Sequence, residues 1–366
     1  MSVLALVEQM IRDGSFNQVV NNPAAQFGPA GRVYLGATLL PERPVQENAY
    51  TEEGIRYRSI IANDGTRYSP VQKKKGVLVG SFEVRLGNSD IGSEFTSADY
   101  DALLRILRRA GNNNIPMEAV TRLIRWADTT LNRPLLEKNE KMRWEAIVDA
   151  SVVRQGDNNY VETVPLSAPT GHRPNAGAAW STDATDPMDD ILALAEVIKG
   201  KGYEINRMIA GSTVIAKLVN NGTMRERAGT LSIISGTVAG QPGRVSRARL
   251  DDMMRENGLP PIEEYNLQYR TSTGSGYFLK RDVFVMVATT GQEEVLDFGD
   301  SEQIPPVQDT LGYTAVGRAA GQEDPGRVTH IEAFANKPPR IEGEAWQTSF
   351  PVITEPEAIG VIKSIT

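Results

Sequence analysis

The sequence predicts an α+β fold of about two domains, rich in loops and carrying one long projecting hairpin. Three observations point there. The chain has 366 residues, enough for two domains at a prior of roughly 150 residues each. Apolar residues recur with period two in some segments and with helical spacing in others. Glycine (33) and proline (21) are plentiful, so much of the backbone must form turns and short strands.

Residues 1–52 contain one amphipathic helix candidate, Val3 to Ile11, followed by Asn-Pro, Gly-Pro and Pro-Glu-Arg-Pro segments. Little of this stretch can build a core of its own, so it reads as an N-terminal arm that is disordered or wraps something else. Residues 53–87 read as an extended β-hairpin. Ile55, Tyr57, Ser59 and Ile61 alternate with Arg56, Arg58 and Ile60, Asn63-Asp64-Gly65 signals the turn, and Leu78, Phe82, Val84 and Leu86 share a face of the return strand. Arms of about ten residues reach roughly 33 Å, against a radius of gyration of about 21 Å for a compact chain of this length. Such a ribbon projects, and a two-stranded ribbon is marginal alone.

Two helices follow. Ser97 is placed to cap the first, which runs to Ala110 with Leu103, Leu104 and Leu107 on one stripe and Gly111 as its stop. The second opens after Pro116 and carries Val120, Leu123, Ile124, Ala127, Leu131, Leu135, Met142, Ala146, Ile147 and Ala150 at helical spacing. Pro134 should kink or locally break it. Arg122, Arg125, Asp128, Lys138 and Lys141 cover the other side, so the long helix, within 115–153, is expected to be exposed over much of its surface. A strand is expected from Tyr160 to Leu166, then a loose stretch to Trp180. A compact region follows: a helix capped by Asp186 and opened by Pro187, with Asp189 at the capping-box position and Gly200 as its stop. Helices at Ser212–Val219 and Ser246–Asn257 and a strand at Val283–Ala288 follow, and final strands at Val328–Asn336 and Ala358–Ile365 are expected to return to the first domain.

Charge divides function classes. The net charge of −7 is opposite to the basic surface that phosphate neutralisation demands, so contact with nucleic acid is at most weak and non-specific. Locally the balance differs. Between Ile55 and Leu86, Arg56, Arg58, Arg67, Lys73, Lys74, Lys75 and Arg85 stand against Asp64 and Glu83, a net of +5; between Gln292 and Asp309, Glu293, Glu294, Asp297, Asp300, Glu302 and Asp309 stand alone, a net of −6. These are either two solvated segments or complementary surfaces that meet between neighbouring copies.

Chemistry finds few carriers. There is no cysteine, which removes disulfides, thiolate nucleophiles and cysteine–zinc sites. Lys199-Gly-Lys-Gly202 and Gly274-Ser-Gly276 lack the setting of a phosphate loop and read as turns. The two histidines, His172 and His330, lie in a loop and an apparent strand, with no paired spacing and no Gly-x-Ser-x-Gly elbow. Asp183, Asp186, Asp189 and Asp190 could bind a divalent cation, but helix capping and the helix dipole account for Asp186, Asp189 and Asp190. Trp180 reads as an anchoring aromatic. No catalytic residue, cofactor or metal ligand is assigned. The N-terminus reads as no secretion signal, and no run approaches the ~18 apolar residues of a membrane span.

The segment Trp180-Ser-Thr-Asp-Ala-Thr-Asp186-Pro-Met-Asp-Asp190 resembles a stretch of lambda-type major capsid proteins, the capsid protein E family of tailed bacteriophages. The order around it is similar too: basic hairpin, long helix, Asn158-Asn-Tyr160 strand, then Gly312-Tyr-Thr-Ala-Val-Gly317, Pro339-Arg-Ile and Phe350-Pro-Val-Ile-Thr. The resemblance covers residues 53–366. It implies the Hong Kong 97-type (HK97-like) fold, with 53–87 as the extended loop, 88–175 as the peripheral domain containing the spine helix, 176–335 as the axial domain and 336–366 as strands returning to the peripheral domain. It also implies a virion protein made in the host cytoplasm, a non-enzyme that assembles with itself into pentamers and hexamers around double-stranded DNA. Scaffold and portal proteins would be its assembly partners, and a decoration protein a further one. Relatives of the wider fold crosslink a lysine to an asparagine; Lys73, Lys74 and Lys75 are available, but no such pair is identified. Three other readings stand beside it: an encapsulin-like shell, a metal-dependent hydrolase using the aspartate cluster, and a tail or adhesion component.

Overall fold

The structure is a computed structural model that describes residues 3–29, 32–46, 49–56, 77–110, 117–155, 161–228, 245–271, 274–289, 295–297, 310–334 and 340–365. The N-terminal region holds helices α1 (Val3–Arg12), α2 (Ser15–Val20) and α3 (Leu35–Leu39) and strand β1 (Glu42–Pro44). Then come strands β2 (Ala49–Arg56), β3 (Val77–Arg85) and β4 (Gly87–Phe95), and helices α4 (Ser97–Ala110), α5 (Met117–Ala127) and α6 (Arg133–Asp149). Strands β5 (Ser151–Gln155) and β6 (Val161–Pro165) form a small hairpin. The next region contains α7 (Pro187–Lys199), β7 (Arg207–Ala210), α8 (Ser212–Asn220), α9 (Gly222–Arg227), α10 (Arg247–Glu256), β8 (Ile262–Glu264), β9 (Gln268–Thr271), β10 (Gly274–Tyr277) and β11 (Phe284–Val287). Strands β12 (Val295–Asp297), β13 (Gly312–Gly317), β14 (Arg327–Phe334), β15 (Arg340–Ile353) and β16 (Ile359–Ile362) close the chain.

Strand β15 organises the larger sheet. On one edge it pairs with β14 through Arg340–Gln347 and with β13 through Thr348–Ile353; on the other it pairs with β4. β1 extends this sheet by running parallel to β13. Ile341 and Ala345 point inward from β15, and with Phe95, Ile331, Leu103, Leu123, Leu131 and the α1 residues Val3, Leu6, Val7 and Met10 they form one core. The second core surrounds a four-stranded sheet, β16-β11-β7-β8, whose strand β11 is buried at every residue. Helices α7, α8 and α10 cover it with Ile191, Leu194, Ile198, Val214, Leu218, Leu250 and Met254.

Four expectations need correction. The N-terminal residues have no separate core, but they fold onto the body of their own chain: α1 joins the first core, while Tyr34, Ala37, Leu39 and Leu40 join the second. The cap of α4 is Thr96, whose hydroxyl accepts from the Asp99 amide at 3.3 Å and donates to its carboxylate at 2.8 Å, so Ser97 is already inside the helix. The long helix is amphipathic only over α5; through α6 none of its residues is exposed. That half is wedged between the two cores, and its buried polar residues Asn139, Glu140 and Arg143 bond to partners on the N-terminal region, the larger sheet and Tyr265. Finally, β13, expected within the 176–335 unit, belongs to the larger sheet with β15, and so does β14, in line with the expected return of Val328–Asn336 to the first domain, whereas β16, expected to return there as well, pairs with β11 instead.

The interruption expected at Pro134 takes the form of a π turn over Asp128–Asn132, after which the helix continues. Proline lacks the N–H that an α register would use there, and a π turn absorbs the displaced bond.

Candidate assembly surfaces

The hairpin is built from β2 and β3, paired antiparallel from Ala49↔Arg85 to Arg56↔Val77. Strand β12 adds to its β2 side, with Val295 opposite Arg56 and Asp297 opposite Gly54. Part of the acidic segment therefore sits on the basic hairpin within one subunit, a different contact from the one between copies that the charge count raised. Arg58, Arg67, Lys73, Lys74 and Lys75 lie outside the described residues, as do Glu293, Glu294 and Asp300. Among the described residues no strand pairs with the free edge of β3.

At the junction of the two cores lies a charged cluster that sequence reasoning missed. Two arginines, Arg143 of α6 and Arg327 of β14, and two glutamates, Glu42 of β1 and Glu140 of α6, are enclosed there. Glu42 receives Arg327, Arg143 at 3.5 Å and the Asn139 amide at 2.9 Å. Arg143 also donates to the Thr314 hydroxyl at 2.8 Å, and Arg327 to the Gln347 side chain at 3.0 Å and the Val20 carbonyl at 3.1 Å. Asn139 Oδ1 accepts from Gln347 and Ser349, each at 2.8 Å. One oxygen of Glu140 accepts three bonds, from the Gly36 amide (2.8 Å), the Trp144 indole (2.8 Å) and the Tyr265 hydroxyl (2.7 Å). Gly36 is required for this approach, since a Cβ there would sit 2.7 Å from the other Glu140 oxygen.

The cluster thus joins the N-terminal region, the long helix, the larger sheet and, through Tyr265, the smaller one. Its electrostatics follow from enclosure. Burial would raise the Glu42 carboxyl, but the charges of Arg327 and Arg143 and the hydrogen bonds from Arg327 and Asn139 hold it below the usual range. Burial together with the adjacent Glu140 carboxylate pushes the Tyr265 hydroxyl upward. The clue in the sequence was Asn139, Glu140 and Arg143 interrupting an otherwise apolar helical pattern.

The Trp180–Asp190 segment is a structural knot. Trp180 is fully buried and donates its indole N–H to Asp190 at 2.8 Å, with its ring 6.0 Å from that of Phe284. Asp186 caps α7 by accepting from the Met188 amide at 3.0 Å, and Pro187 occupies the first helical turn. Asp189 does not complete a capping box through its side chain but pairs with Arg227 at 3.0 Å, which also reaches Asp186. Asp183 accepts from the Gly222 amide at 2.9 Å. Each of the four carboxylates is therefore engaged by a protein donor, and among the described residues no group of three His, Cys, Asp or Glu is placed to hold a metal ion. Replacing Asp186 with alanine is expected to cost about 1 kcal/mol through loss of the cap, measured as a lowered urea midpoint with an unchanged slope. His172 is buried with Nδ1 3.1 Å from the Ile359 carbonyl, and His330 is exposed with Nε2 2.9 Å from Glu332. Among the described residues no helix is long and apolar enough to cross a membrane.

Comparison with known proteins agrees with this architecture. A structure of a phage-related protein from Bordetella bronchiseptica RB50 is 13% identical over 94% of this chain and 96% of that one, with a TM-score of 0.52. A structure assigned to the capsid protein of a prophage of E. coli CFT073 is 14% identical over 96% and 98%, with a TM-score of 0.54. At such identities the likeness is one of fold, and the fold is HK97-like. No curated protein matches the sequence. The family model of phage major capsid protein E matches residues 96–310, which include the long helix, the Trp180–Asp190 knot and the whole of the smaller sheet except β16, and on that match the chain belongs to the phage major capsid protein E family and serves as a structural subunit of a phage shell.

Proposed function

We propose that the chain assembles with itself into pentamers and hexamers that close an icosahedral shell around double-stranded DNA, with scaffold and portal proteins as assembly partners and no catalytic step of its own. The small sheet with α7–α10 would be the axial domain near capsomer centres, and the β15 sheet with α4–α6 the peripheral domain. The site of action would be the virion, after synthesis in the host cytoplasm. A decoration protein is a further partner, and packaged DNA is contacted only weakly.

The observation that carries this reading is the hairpin. A ribbon of two long strands with a third short one, and no strand on the outer edge of β3 among the described residues, has little stability by itself. A neighbouring copy supplies the missing packing. Basic residues Arg56, Arg58, Arg67, Lys73, Lys74 and Lys75 then meet carboxylates of the neighbour, including the segment of Glu293, Glu294, Asp297 and Asp300, and fix its orientation.

Negative-stain microscopy with mass photometry, on the protein alone and with its scaffold, tests this. Closed shells, or rings of five and six, are expected; a persistent monomer near 40.0 kDa in every condition overturns it. Changing Lys73, Lys74 and Lys75 together to glutamate is expected to abolish shells while leaving the circular dichroism of the subunit unchanged. Normal shells from that variant would remove the hairpin from the interface.

A further inference from the structure

Lys138 lies on α6 beside two other cations, and among the described residues it alone of the three forms no ion pair. Lys141 is bridged to Glu145 at 3.2 Å, and Arg154 to Glu162 at 3.4 Å. Lys138 is half-buried and makes no hydrogen bond or ion pair among the described residues. Its burial, and then Lys141 and Arg154, press its pKa downward, with Glu145 acting the other way. A partly desolvated cation without a counter-charge is a cost that the isolated subunit carries.

The opposite imbalance stands on the other side of the larger sheet. Residues 341, 345, 347 and 349 of β15 are buried, toward the helices, so residues 342 and 344 face away from them. In register across that outer face stand Glu94, Glu342 and Glu332, one on each of three strands. Like charges directly opposite one another destabilise a sheet. Glu342 is relieved by Arg340 at 2.6 Å, and Glu332 lies 2.9 Å from the His330 imidazole. Asp90, Glu94 and Glu344 are exposed on the same face and pair with nothing among the described residues.

We infer that Lys138 is a receptor for a carboxylate of a second copy of this chain, supplied by the outer face that carries Asp90, Glu94 and Glu344. The two patches lie on opposite sides of the sheet in one subunit, so neither can satisfy the other within it, and among the described residues no other group of the subunit pairs with them. Joining two unlike patches makes a head-to-tail contact, the kind that closes into rings. The inference rests on the shell-forming role and adds to it a second charged contact, distinct from the hairpin.

The test uses the full chain co-expressed with its scaffold, comparing wild type, Lys138→Glu, Lys138→Met, Glu94→Lys with Glu344→Lys, and the combination of Lys138→Glu with both glutamate changes. Shell yield is read from gradients and negative stain, and folding from circular dichroism. Lys138→Glu is expected to lower shell yield by about tenfold or more, Lys138→Met by less, and the combined charge exchange to restore it. Acetylation of Lys138, followed by mass spectrometry, is expected to be slower in wild-type shells than in free subunits. Normal yield from Lys138→Glu, or no recovery in the exchange, overturns the inference while leaving the shell role intact. Absence of wild-type shells takes down both. Should Lys138→Glu fail to fold, the methionine variant and the acetylation rates decide, and equal rates in the two states overturn the contact.

Discussion

Glu42→Ala is expected to destabilise the subunit by about 3–5 kcal/mol, because it leaves two buried guanidinium groups facing one carboxylate. Arg143 is fully enclosed and Arg327 is nearly so, and neither can turn to water without opening the contact between β1, α6 and β14. Set against a total stability of about 5–15 kcal/mol for a typical domain, the loss should appear as a fall in Tm of roughly 5–10 °C, or as insoluble expression. The N-terminal region should loosen first, since Glu42, Gly36 and Val20 are its points of attachment to the cluster. Amide exchange of residues 16–45 would report that directly. Replacing Glu42, Arg143 and Arg327 together with apolar residues of similar size is expected to be far milder, because it removes the unpaired charges along with the pairing. If the single change were as mild as the triple one, the cluster would not be what holds the N-terminal region in place.

The same carboxyl sets a pH dependence of definite sign. Its folded value lies below its unfolded value near 4.5. The stabilisation is therefore complete above the unfolded value and is lost as pH falls through the folded one. Between about pH 7 and pH 3, Tm should fall more steeply for the wild type than for Glu42→Gln, which is less stable at neutral pH but has no proton to gain there. Parallel curves would assign the acid sensitivity to other carboxylates.

What was legible in the sequence was what a single periodicity governs. Helix α1, with Val3, Leu6, Val7 and Met10 buried, and helices α7 and α10, with their Asp186 and Ser246 caps, follow the expected pattern. The cap of α4 was displaced by one residue because Thr96 and Ser97 both carry a hydroxyl that can accept from a backbone amide, and only the geometry tells which one precedes the helix. Strand β15, the longest among the described residues, was expected only through the resemblance, which gives 336–366 as strands; residue alternation alone does not mark it. Its inward face begins with Ile341 and Ala345 but continues with Gln347 and Ser349, whose side chains bond to Asn139, so the alternation fades midway. Gly343 and Pro351 further disguise it; glycine is needed where Trp126 and Leu131 press within 3 Å of any Cβ. The burial of α6 was hidden for the same reason. Asn139, Glu140 and Arg143 look like surface residues in one dimension, and their partners Glu42, Thr314, Arg327 and Gln347 lie far away along the chain. Pairing between distant polar residues leaves no local periodicity, and that limit applies equally to contacts between copies.

Trp180→Ala is expected to cost about 3–5 kcal/mol, the range for removing a large aromatic from a core, with a further contribution from Asp190. That carboxylate would lose its strongest donor, the indole N–H at 2.8 Å, and keep only the Gly177 amide at 3.4 Å. Asn221 would be disturbed as well, since its side-chain amide binds the carbonyls of Trp180, Thr182 and Thr185 at 2.9–3.1 Å and ties the segment to the start of α9. Asp190→Ala alone is expected to cost about 1–3 kcal/mol by leaving the indole N–H unsatisfied. Because the two groups touch, the double variant should be less destabilised than the sum of the singles, by an amount that measures their coupling. Urea unfolding of the four proteins supplies the cycle. Additive losses would mean that the Trp180–Asp190 bond contributes nothing and that the indole acts through packing alone. A metal role for the cluster predicts something different, a stability that rises with added divalent cation and falls with chelator, and the protein donors already on Asp183, Asp186, Asp189 and Asp190 lead us to expect neither.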